Sequence, residues 1–156
     1  MSASSTADSK PVSRLRALAG LLASPADTWL AVRTVGWMCT VPLLKRVLPL
    51  PRLVRLMWRP PHAPERHLEG ELRTARLVKR LCRTSGGNCL ERSLILYRYL
   101  ARANADPRLV VGVGKPDEFL GHVWVTVDGR PLLDSPETLR GYTEVVRFGA
   151  GGAQEA

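Results

Sequence analysis

The sequence predicts an α+β domain, and two observations carry that expectation. Up to about residue 104 the apolar residues recur at helical spacing, and beyond Pro107 they fall in short β-rich runs separated by Gly, Pro and Asp. A chain of 156 residues, 45% of them hydrophobic, suits one domain with a modest core. Charge is unevenly placed: residues 1–84 hold 15 Lys and Arg against 5 Asp and Glu, and residues 85–156 hold 8 against 9. The two parts are therefore +10 and −1, which favours an anionic partner for the first.

Residues 1–12 are small, polar and Pro-ended and read as a disordered N-terminus. Arg14 and Arg16 precede an apolar run at 17–23, but the run is short, far from the start and broken at Ser24-Pro25, which disfavours a signal peptide. The longest uncharged stretches in this half, 17–26 and 34–44, fall well short of the roughly 20 residues that cross a bilayer. Ser24-Pro25-Ala26-Asp27 marks a helix start, with Ser as cap, Pro preset for the first turn and Asp favoured by the positive helix end. The helix should run to about Val41, where Pro42 ends it. Pro49 and Pro51 cut the following apolar runs into short, basic, amphipathic helical pieces.

Residues 59–70, with Pro60, Pro61 and Pro64, read as a linker, and helical spacing resumes over 71–83 through Leu72, Ala75, Val78 and Leu81. A further helix starts at Cys89 with Asn88 as its cap and runs to about Asn104. Strands are expected at 109–113, 119–127, 132–134 and 145–148, mainly antiparallel, and the Ala/Gly-rich tail at 151–156 reads as frayed. The domain reading is a basic helical region at 13–70 and a core at 71–150.

Cys89 is the first candidate for chemistry, because the first turn of a helix offers free N–H groups and about half a positive charge, which favour thiolate over thiol and can hold an oxyanion. Its bland alternative is a small buried apolar residue. His122 lies in Gly-His-Val-Trp-Val-Thr-Val, whose alternation puts His122, Trp124 and Thr126 on one face and Val123, Val125 and Val127 on the other, the valines toward the core. Whether Asp134 can meet His122 depends on the intervening turn. A two-residue Asp128-Gly129 loop pairs Val127 with Arg130 and His122 with Ser135, leaving Asp134 on the wrong face. A three-residue loop pairs His122 with Asp134, and a nucleophile, base and orienter from Cys89, His122 and Asp134 requires that second register. Each of the last two residues also has a plain reading as a hydrogen-bonded strand or turn group.

At these residues the chain resembles a known family. The blocks Gly87-Asn88-Cys89-Leu90-Glu91-Arg92-Ser93-Leu94 and onward to Leu100, Val111-Gly112-Val113-Gly114-Lys115-Pro116, His122-Val123-Trp124-Val125 and Asp128-Gly129-Arg130-Pro131 closely resemble the transglutaminase-like B2 proteins of lasso-peptide biosynthesis, over roughly residues 29–148. The resemblance implies a transglutaminase-like or papain-like core with N-terminal helices, a cysteine-bearing helix and a small antiparallel sheet. It also implies that Cys89 attacks a scissile carbonyl, His122 serves as base then acid, and Asp134 orients it. The reaction would remove the leader of a ribosomally made precursor peptide through an acyl-enzyme, before a separate lasso cyclase closes the ring. The leader would be held by a recognition protein of the B1 type, supplied in trans, because the N-terminal residues do not look like that module. The basic half would dock it.

Other readings are weaker. Gly112-Val113-Gly114-Lys115 lacks the remaining residues of a phosphate loop, since Leu109 and Pro116 stand where Gly and Ser or Thr are needed, so no nucleotide cofactor is expected. His62 and His67 have no nearby cysteine cluster, and no metal is expected. Trp29, Trp37 and Trp58 occupy helical positions rather than a stacking platform, which disfavours nucleic acid. The piece at 43–58 has the pattern of helices that touch a membrane surface. Three cysteines without a CxxC pair point to a reducing cytoplasm. Two further functions share these residues: a non-catalytic binding module on the same fold, and acyl transfer to an amine.

Overall fold

A computed structural model describes residues 25–62, 64–85, 88–114 and 121–155. The expected disordered stretch at 1–12, the apolar run at 17–23 and the Ser24 cap lie outside the described residues. The chain divides into two units between Arg33 and Thr34; the sheet and the candidate site belong to the second. Its helices are α1 (Pro25–Val47), which begins in the first unit, α2 (Leu50–Met57), α3 (Leu68–Ser85) and α4 (Cys89–Arg102). The rest is β1 (Arg108–Gly114), β2 (Gly121–Val127), β3 (Arg130–Pro131), the short α5 (Pro136–Leu139), β4 (Tyr142–Phe148), a 3₁₀ turn (Ala150–Gly152) and β5 (Gln154–Glu155). The strands form one antiparallel sheet in the order β3-β2-β1-β4-β5. The α+β expectation holds.

α4 is the spine of the core. Leu94, Ile95, Leu96, Tyr97 and Leu100 are all essentially inaccessible, and the helix packs on α2, α3, β1 and β2. Asn88 caps it, its side-chain oxygen accepting from the Glu91 N–H at 3.0 Å. Arg98 reaches back to the carbonyls of Leu56 and Met57 at the end of α2, at 3.4 and 3.3 Å, with its guanidinium 4.2 Å above the Trp37 ring. Lys45 of α1 pairs with Glu91 in the first turn of α4 at 2.5 Å. Part of the basic half's charge is thus used within the fold.

Three expectations need correction. α1 does not stop at Val41 but continues through Pro42 to Val47. An interior proline forfeits one helix bond and crowds the carbonyl four residues back, costing about 3 kcal/mol. The packing on both sides offsets this: Val41 is fully buried, Trp37 lies under Arg98 and Lys45 meets Glu91. α3 starts at Leu68, inside the expected linker, with Glu69 and Glu71 in the first turn where the helix end favours carboxylates.

The tail is the third. Residues 150–155 are ordered into the fold rather than frayed: a 3₁₀ turn at Ala150–Gly152 leads into β5, which pairs with Arg147 and Phe148, Glu155 binds Arg108 at 2.7 Å, and the buried Tyr97 hydroxyl donates to the Gly149 carbonyl. Burial pushes that phenol up to about 12. Gly152 has φ +68°, and a Cβ there would lie 2.7 Å from the backbone N and Cα of Arg55 in α2. Gly152→Ala is expected to destabilise the fold by about 2 kcal/mol through this contact and the left-handed backbone, read as a lower urea midpoint with unchanged slope.

Candidate functional site

Cys89 is the first residue of α4, partly exposed at the end of the most buried helix. Cys82, by contrast, is buried, and burial pushes its thiol up. The Asn88 cap occupies the Glu91 N–H, while the first N–H groups of any helix have no partner within it. Residues three and four positions on from Cys89 share its helical face. They are Arg92 and Ser93, and both reach the sheet. Ser93 Oγ donates to the Val123 carbonyl at 2.8 Å; Arg92 Nη2 donates to Asp134 Oδ1 and Oδ2 at 3.0 and 3.3 Å.

On β2 the expected alternation is present, with Val123, Val125 and Val127 buried. Trp124 is buried as well, because its indole lies across Gly112 of β1, where a Cβ would come within 2.8 Å of the ring. The His122 ring stacks near Trp124 at 6.0 Å and tilts against Tyr142 of β4 at 5.0 Å. Both contacts restrict the imidazole to a narrow range of orientations.

The β2–β3 turn takes the register that the proposed chemistry was expected to forbid. Thr126 pairs with Pro131 and Val127 with Arg130, a two-residue Asp128-Gly129 loop with both residues at positive φ, 51° and 73°. Continued as a ladder, it would set Ser135 opposite His122. The ladder does not continue. After Pro131, which has no N–H to give, one more bond forms from Leu132 N–H to the Val125 carbonyl, and residues 132–134 bend away instead of forming the expected strand. The bend delivers the Asp134 carboxylate to 3.4 Å from His122 Nε2. That is ion-pair distance without hydrogen-bond alignment, and Nε2 is buried with no hydrogen-bond partner.

The structure therefore brings His122 and Asp134 together, adds Arg92 to them, and sets Cys89 one helical turn from Arg92. No hydrogen bond joins the Cys89 thiol to either of the other two. Arg92 was not among the residues singled out from sequence; its spacing from Cys89 was the available signal. On the His122 face of the sheet an open groove of about 560 Å³ begins at Trp124 and Thr126 and is walled by Leu139, Arg140, Glu144 and Arg147. Cys89, His122 and Asp134 do not line it; its link to the pair is Trp124, whose ring stacks near that of His122. Among the described residues, no group of three His, Cys, Asp or Glu side chains offers a metal site, and no helix is long and apolar enough to cross a membrane.

Residues 31–147 match the family model described as the transglutaminase-like superfamily. No curated protein and no solved structure gives a significant match.

Proposed function

The chain belongs to the transglutaminase-like superfamily, which includes cysteine peptidases, and from that premise we propose that it is the leader peptidase of a lasso-peptide pathway, acting through Cys89, His122 and Asp134. The observation that carries the reading is the buried meeting of His122, Asp134 and Arg92 beside the helix that starts at Cys89. Resemblance of the cysteine-helix and His-Val-Trp blocks to the B2 proteins supports the substrate.

Facing Nε2 toward Asp134 favours the tautomer with its proton there, leaving Nδ1 to take the proton of the thiol. The Cys89 sulfur attacks the scissile carbonyl carbon, and the oxyanion that forms is met by N–H groups of the helix end. The C–N bond breaks as the imidazolium gives its proton to the departing amine. Water, deprotonated by the same imidazole, then cleaves the thioester to release the leader carboxylate and regenerate the thiol. The groove from Trp124 to Arg147 suits an extended peptide lying across the sheet face.

The precursor would arrive bound to a separate B1 recognition protein docked on the basic half, and the product would pass to a lasso cyclase. A cytoplasmic setting keeps the thiol reduced. The test mixes the chain, the recognition protein and the precursor, and follows products by mass spectrometry. Wild type should release leader and core at one bond, and Cys89→Ala should release neither. Cleavage retained in that variant would leave the non-catalytic module as the better reading, and a product joined to an added amine would indicate acyl transfer instead.

A further inference from the structure

We infer that Arg92 is a positioning residue that sets the Asp134 carboxylate against His122, and so decides which imidazole nitrogen carries the proton. The consequence for catalysis rests on the peptidase reading; the geometry does not.

The β ladder does not place Asp134. Its register points to Ser135 as the partner of His122, and strand pairing ends at Pro131. The described side-chain contacts of the carboxylate are those to Arg92 and His122. Of these, only the Arg92 contacts meet hydrogen-bond geometry, and one nitrogen, Nη2, contacts both oxygens and holds the carboxylate against the helix. The Oδ1 that Arg92 holds is also the oxygen nearest His122 Nε2.

Stability alone is a poor account of this arginine. It is four-fifths buried, and its Nε is buried with no hydrogen-bond partner. An ion pair removed from water in this way gives little or no net stabilisation over well-packed apolar residues, and an unmet buried donor is a further penalty. What the arrangement does supply is a rigid link from the helix of Cys89 to the loop of Asp134. Arg92 stands one turn from Cys89, and its neighbour Ser93 fixes the same helix to the strand of His122. The two consecutive residues thus tie the nucleophile's helix to both other members of the proposed triad.

The test uses the full chain, ¹⁵N-labelled in its histidines, of which there are three, with His122 assigned by the signal lost in His122→Gln. The nitrogen shifts at neutral pH report where the proton sits. In the parent they should be well separated, with the proton on Nε2. In Arg92→Met and Arg92→Gln the two shifts should move toward each other as both tautomers become populated, and Arg92→Lys should restore at least half of the separation. Leader cleavage should fall about 10–100-fold in kcat with KM little changed, the range for residues that orient a functional group from behind. If Met does not fold, Gln alone decides. Unchanged shifts in a folded neutral variant would overturn the inference whether or not the chain proves to be a peptidase; moved shifts in a chain without peptidase activity would uphold the positioning and reject the reaction.

Discussion

On the proposed leader-peptidase reading, replacing His122 by Ala is expected to lower kcat for leader cleavage by about 10³–10⁴-fold while leaving KM close to that of the wild type. In the proposed mechanism the imidazole takes the proton of the thiol, gives it to the departing amine and then deprotonates the attacking water, and none of these transfers has a second candidate within the described site. Loss of a triad base removes stabilisation present only in the transition state, which is why kcat carries the effect. The fold should survive. His122 lies near the open end of β2 rather than in the core, and what it contributes by packing is its contacts with Trp124 and Tyr142, about 1 kcal/mol for an aromatic pair. His122→Gln separates shape from basicity and should be as inactive as the alanine variant. The check is single-turnover cleavage with circular dichroism on the same samples; a folded variant within tenfold of wild type would remove His122 from the mechanism.

The same region shows where sequence is readable and where it is not. Asn88 announces the start of α4 because an amide oxygen at that position meets a free N–H three residues on. Asp128-Gly129 announces a tight turn because both residues tolerate positive φ. Those are local effects, settled within a few residues. The position of Asp134 is not local. Both available registers were visible in the sequence, and the one adopted is the one that would have separated Asp134 from His122 had the strand gone on. What reverses the outcome is a bend after Pro131 together with a contact to Arg92, 42 residues earlier. Nothing in the spacing of residues 127–134 encodes that contact.

The continuation of α1 through Pro42 has the same origin. Local chemistry says break, and contacts from α4, through Arg98 and Glu91, keep the helix whole. The tail reads as frayed because Ala and Gly offer few side chains to pack, yet Gly152 is there because a side chain would not fit against Arg55. In each case a residue's meaning is set by what approaches it from far along the chain.

Arg66→Met is expected to destabilise the fold by about 3 kcal/mol, the low end of the range for stranding a buried charge, because Arg66 is itself a third exposed and water can follow it in. Arg66 grips Glu71 with two nitrogens, at 2.6 and 3.0 Å, and reaches Asp128 in the β2–β3 turn at 2.8 Å. These partners hold its guanidinium well above the usual arginine range. The two arms are unequal. Asp128 is two-thirds exposed, and losing that arm should matter by less than about 1 kcal/mol. Glu71 is 1% exposed, and without Arg66 its carboxylate would face the interior unpaired. A loss of that size should lower Tm by roughly 6–12 °C in a chain of this length.

A double-mutant cycle separates desolvation from packing. Glu71→Leu in the Arg66→Met background should recover most of the lost stability, since apolar replacement of a buried pair is commonly neutral or better, while Asp128→Ala should stay near wild type. Recovery by the double variant would identify the buried carboxylate, and not the tie to the turn, as the source of the loss. Equal losses from Arg66→Met and Asp128→Ala would instead mean that the arginine acts by holding the hairpin, through which it would bear on the approach of Asp134 to His122.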